Sequence, residues 1–110
     1  MGIDAVLRRR DRPGTGPQRE SLHDIAVVFG VDEMTGLLQR MQGRMPVLSR
    51  LDPVRSVVMT SADMPELISE LDQTMSGVIS DPERQFLSAT RALADVCACD
   101  RSLELHFDGD

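Results

Sequence analysis

The clearest period in the chain is the alternation near its two ends. Ile3, Ala5 and Leu7 fall on one side of an extended segment and Asp4, Val6 and Arg8 on the other, which predicts a strand over Ile3 to Arg9. Leu103, Leu105 and Phe107 alternate with Glu104 and His106, predicting a second strand whose apolar set faces a core. Val54 to Thr60 is rich in β-branched residues and predicts a third.

Helical spacing marks two further segments. Met64, Leu67, Ile68, Leu71, Met75 and Val78 line one face behind Pro65, and Glu66, Glu70, Asp72 and Gln73 line the other. Asp81-Pro82-Glu83 predicts the start of a second helix, with Asp81 as an acidic N-cap and Pro82 in the first turn. That helix runs to about Cys97 and buries Phe86, Ala89, Thr90, Leu93 and Cys97. The short link Gly77 to Ser80 makes the two helices antiparallel neighbours.

Elsewhere the pattern is weaker. Met34, Leu37, Leu38 and Met41 predict a short helix stopped by Gly43. Leu22, Ile25, Ala26 and Phe29 stand at helical spacing behind a Ser21/Asp24 capping box, so a helix is expected over Ser21 to Phe29. The run Ile25 to Phe29 fits a buried strand equally. Arg12 to Pro17 is a turn by its Pro and Gly content, within a mobile loop expected at 11–20, and it lacks the pattern of a phosphate-cradling loop. Met45 to Pro53 is a connection pinned by Val47, Leu48 and Leu51. Together these elements predict a single α+β domain over 1–110. Its sheet would be small, three-stranded, antiparallel or mixed, with three or four helices packed mainly on one face.

Composition sharpens this picture. Hydrophobic residues make up 41% of the chain but aromatics only 3%, so the core rests on aliphatic side chains and seven Met. Cys97 and Cys99 cannot bridge each other on one helix and form no zinc-binding set, which suits reduced thiols in the cytoplasm. No apolar run approaches the length of a membrane span, and the apolar stretch before Arg8-Arg9-Arg10 is too short for a secretion signal.

Charge points to the class of function. From Asp63 to Asp110 eleven acids meet three arginines, whereas residues 1–19 carry five arginines against two acids. Net charge is −6, and an acidic half without a catalytic constellation reads as a surface for a basic protein partner. Glu66, Glu70, Asp72, Glu104, His106, Asp108 and Asp110 are the expected partner-binding residues. No cofactor is expected. Arg8, Arg9, Arg10 and Arg12 lack the interleaved aromatics of a nucleic-acid surface, and the acidic remainder repels phosphate.

Two alternatives stand beside this reading. Glu104, His106, Asp108 and Asp110 could serve a small metal-dependent or acid/base enzyme, although alternating terminal carboxylates normally form a solvated tail. A sheet covered on one side could also self-associate through Val6 and Val58 as a homodimer. Cys97 lies on the apolar stripe and is expected to be a buried, inert thiol.

Leu51-Asp52-Pro53, Met64-Pro65-Glu66-Leu67-Ile68-Ser69-Glu70-Leu71 and Phe107-Asp108-Gly109-Asp110 resemble segments of a group of small bacterial proteins common in actinobacteria. The group usually has Gln where Asp63 stands and an apolar residue where Asp108 stands. The group has no settled activity to carry over, but some of its members are similar to immunity proteins of toxin systems. The resemblance therefore supports the binding reading, with a toxin as one such partner.

Overall fold

The computed structural model describes residues 3–11, 21–30, 36, 37, 40, 45–52 and 54–109. Strand β1 spans Ile3–Asp11, β2 Ser21–Val28, β3 Ser56–Thr60 and β4 Leu103–Gly109. Between β3 and β4 come helices α1, Met64–Met75, and α2, Asp81–Ala98. Two short 3₁₀ turns, Leu48–Arg50 and Ser61–Asp63, lead into β3 and α1 respectively. The four strands form one antiparallel sheet in the order β2-β1-β4-β3. The protein is therefore α+β, with four strands where three were expected and two long helices among the described residues.

The additional strand is β2, in the segment where a helix was expected. Ala26 pairs with Leu7 and Val28 with Ala5, while Asp24 pairs with Arg8, so Ile25 is an extra residue on the β2 side. Such a bulge sets two successive side chains on one face and breaks the two-residue period. The broken alternation is what imitated helical spacing in Leu22, Ile25 and Ala26. Immediately after β2, Gly30 passes against β1, and a Cβ there would come within 2.0 Å of the Ile3 carbonyl oxygen. The expected loop at 11–20 lies outside the described residues except for Asp11, which ends β1. Of the expected 34–41 helix, Gly36, Leu37 and Arg40 are described, and all three are helical.

Inward positions build the core. Ile3, Ala5 and Leu7 of β1, Met59 of β3, and Leu103, Leu105 and Phe107 of β4 meet Met64, Leu67 and Leu71 of α1. Phe86, Leu87, Ala94 and Cys97 complete it from α2, and Leu37, Val47, Leu48 and Leu51 close its rim. Burying each Leu or Phe side chain stabilises the fold by about 1.5–3 kcal/mol.

The helix caps follow from local sequence, with one correction. Ser80, not Asp81, is the N-cap of α2: its Oγ accepts from Glu83 N–H at 3.3 Å, and Ser80 N–H donates to Glu83 Oε1 at 2.7 Å. Asp81 instead occupies the first turn, where its charge still suits the positive helix end. Burial pushes the Glu83 carboxyl up, but hydrogen bonds from Ser80 and Arg40 outweigh it and hold the group below the usual glutamate value. Arg91 of α2 grips Asp72 of α1 at 2.9 Å, and Arg84 donates to the Met75 carbonyl at 2.8 Å. These crossings run in opposite chain directions, so the helices are antiparallel neighbours.

The buried face of α1 is rotated from the expected one. Glu70 and Thr74 are buried with Leu67 and Leu71, Ile68 and Met75 are half-buried, and Val78 beyond the helix is fully exposed.

Candidate functional site

Pleating places a second set of side chains on the sheet face away from α1 and α2. One row across it, set by strand register, is Val27, Val6, His106 and Val58. A second holds Asp24, Arg8, Glu104 and Thr60, and a third holds Asp4, Asp108 and Ser56. Val6 is buried yet stands outside the core cluster. Ile25, Val27 and Val58 remain 48%, 40% and 43% exposed. Isolated exposed valines are ordinary, but these share one face with charged groups between them.

Arg8 organises the polar part. Its Nε donates to Asp24 Oδ1 at 2.8 Å, one terminal nitrogen donates to Asp108 Oδ2 at 3.1 Å, and the other lies 3.0 Å from His106 Nδ1. A guanidinium only donates, so Nδ1 must accept. The ring proton then sits on Nε2, which faces Glu104 Oε1 at 3.2 Å. The hydrogen bond to Asp24, and then the charge of Asp108, hold Arg8 above its usual value despite partial burial.

Two carboxylates, Asp24 and Asp108, hold this guanidinium, Glu104 joins them through His106, and Asp4 stands beside Asp108 in the strand register. Asp4 Oδ1 accepts the Gly30 N–H at 2.8 Å. The side chains of Asp24 and Asp108 are 59% and 30% exposed, so their outer oxygens face solvent. The face is acidic, with apolar flanks.

The structure divides the expected partner-binding residues between opposite sides of the protein. Glu66 is exposed on α1, and Asp72 is held there by Arg91, which keeps its carboxyl below the usual aspartate value. Glu70 corrects the sequence reading. Only 8% exposed, it accepts Leu48 N–H at 2.8 Å and Val47 N–H at 3.0 and 3.1 Å, so it anchors the 3₁₀ turn and offers nothing to a partner. Glu104, His106 and Asp108 lie on the outer sheet face. Glu104 and His106 are buried, not part of a solvated tail, and Asp110 lies outside the described residues.

Arg8, Asp24, Val27 and Asp4 were missed as site residues. Alternation in β1 does place Arg8 opposite the core, but its partners depend on strand pairing, and Asp24 was hidden by the helical reading of β2. Among the described residues no cluster of three or more His, Cys, Asp or Glu has a metal-holding arrangement, and both ring nitrogens of His106 are engaged. Cys97 is buried, donates to the Leu103 carbonyl at 3.6 Å, and has its thiol pushed up to about 11 by burial. No described helix is long and apolar enough to cross a membrane.

No family model, no curated protein and no solved structure matches this chain.

Proposed function

We propose that the chain is a non-enzymatic interaction protein that takes a basic protein partner on the outer face of its sheet. The observation that carries this reading is the Asp24–Asp108 pair held around Arg8, with Asp4 next to Asp108 and half-exposed Ile25, Val27 and Val58 on the same face. Carboxylates steer a cationic partner and set its orientation, and the valines supply apolar area that charge alone lacks. The expected acidic set thus narrows to its sheet members, since Glu70 on α1 is unavailable. An immunity protein covering a basic toxin is the sharpest version, supported by the acidic second half of the chain. Two unbridged cysteines suit a cytoplasmic setting.

The test mixes the protein with basic proteins encoded beside it and measures affinity by calorimetry as salt is raised. Screening shortens the reach of exposed charge from about 10 Å at 0.1 M to about 3 Å at 1 M, so affinity should fall steeply. An Asp24→Asn, Asp108→Asn double variant should bind at least tenfold more weakly, and Glu66→Gln should bind as the parent does. Salt-independent binding, or equal binding by the double variant, would remove the reading.

A further inference from the structure

We propose that β3 is a dimerisation edge, along which two copies of this chain join their sheets antiparallel about Val58. The strand order leaves two edges, β2 and β3. The bulge at Ile25 interrupts the ladder of β2, a device that blunts an edge against further pairing. Strand β3 carries no bulge, and Ser-Val-Val-Met-Thr is regular, uncharged and free of proline.

Backbone orientation says which groups it offers. Gly109 N–H donates to the Arg55 carbonyl at 3.0 Å, so Arg55 turns toward β4, and by alternation Val57 and Met59 do as well. Ser56, Val58 and Thr60 therefore turn their backbone groups outward. Thr60 agrees, since its N–H donates to Asp63 Oδ2 at 3.0 Å and not to a strand. That bond also ends the available ladder. Among the described residues nothing takes the outward N–H and C=O of Val58.

A second copy fits this edge at Val58, where both backbone bonds can be exchanged, while the Thr60 N–H stays with Asp63. A two-fold axis at Val58 sets it against Val58 of the partner subunit, and Ser56 against Thr60 of the partner subunit. No like charges are opposed. The same register puts Arg55 opposite Ser61 of the partner subunit, two residues from Asp63 of the partner subunit. Both charges have long ion pairs within one chain, Arg55 with Asp52 at 3.9 Å and Asp63 Oδ1 with Arg50 at 3.8 Å, and Asp63 Oδ2 stays on the Thr60 N–H. Half-exposed Val58 is covered in the pair. The two-fold is perpendicular to the sheet, so both acidic faces point the same way and are displayed twice. The inference stands whether or not that face binds a basic partner.

So short an edge, paired chiefly at Val58, makes a small interface, so association should be weak. In sedimentation equilibrium from about 10 to 300 μM, the average mass should climb from one chain toward two. Val58→Lys, a side chain that natural edges use against pairing, should stay at one chain with an unchanged melting curve. Val27→Lys, on β2, should dimerise as the parent does. In a Cys99→Ser background, Val58→Cys should oxidise to a covalent dimer, because directly opposed residues of an antiparallel pair lie about 5.5 Å apart, within disulfide reach. Glu66→Cys in that background should not. A single-chain mass over the whole range, or no Val58→Cys dimer under oxidation, overturns the proposal.

Discussion

Arg8 reaches diagonally from β1 to β4 and donates to Nδ1 of His106 at 3.0 Å. This contact fixes the imidazole tautomer and joins Asp24 and Asp108 to Glu104 through one chain of hydrogen bonds. His106→Ala removes an acceptor from Arg8 and a donor from Glu104, and should cost about 2–3 kcal/mol in urea unfolding. Nitrogen NMR shifts of the ring should show the proton on Nε2. A proton on Nδ1 at neutral pH would contradict the network.

Glu70→Gln should destabilise by about 1.5–3 kcal/mol, because an amide nitrogen then faces the N–H groups of Val47 or Leu48 inside the protein. Glu66→Gln, one turn away and exposed, should change stability by less than about 0.5 kcal/mol. Denaturant midpoints of the two variants make the comparison, and equal values would mean that Glu70 is not an anchor.

The buried hydroxyl of Thr90 has no hydrogen-bond partner among the described residues. Thr90→Val keeps the shape and removes the unpaired group, so it should stabilise by about 1 kcal/mol. A thermal scan should show a midpoint raised by about 4–8 °C. A lowered midpoint would mean that the hydroxyl is satisfied.

Glu83 titrates below its unfolded value, so its contribution is present above about pH 4.3 and is lost as pH falls through the lower folded value. Glu83→Gln should therefore flatten the acid limb of the stability curve below about pH 5. An acid limb as steep as the parent's would show that the Ser80 and Arg40 contacts do not set it.

Much of this fold was legible in local pattern, because β1 and β4 alternate and α1 and α2 carry helical spacing. The expected helix stripes were incomplete, however: Glu70 and Thr74 on α1 and Leu87 and Ala94 on α2 take buried places outside them, and Ala89 and Leu93 are only half-buried. Ile3, Ala5 and Leu7, like Leu103, Leu105 and Phe107, face the core as their alternation requires. Strand β2 was not legible, since one bulged residue at Ile25 shifts its period and only pairing with β1 makes it a strand. Glu70 was misread for a related reason. Its carboxylate meets backbone N–H groups from Val47 and Leu48, more than twenty residues earlier, and spacing on α1 carries no trace of them. The Arg8 network likewise joins three strands whose order no single segment encodes.

The most direct test of the outer face is an amide NMR titration of the labelled protein with a basic partner encoded beside it. Shifts are expected at Val6, Asp24, Val27, Val58 and Asp108, fading as salt is added. Shifts centred instead on Glu66 and Asp72 of α1, with the sheet residues unmoved, would contradict the account.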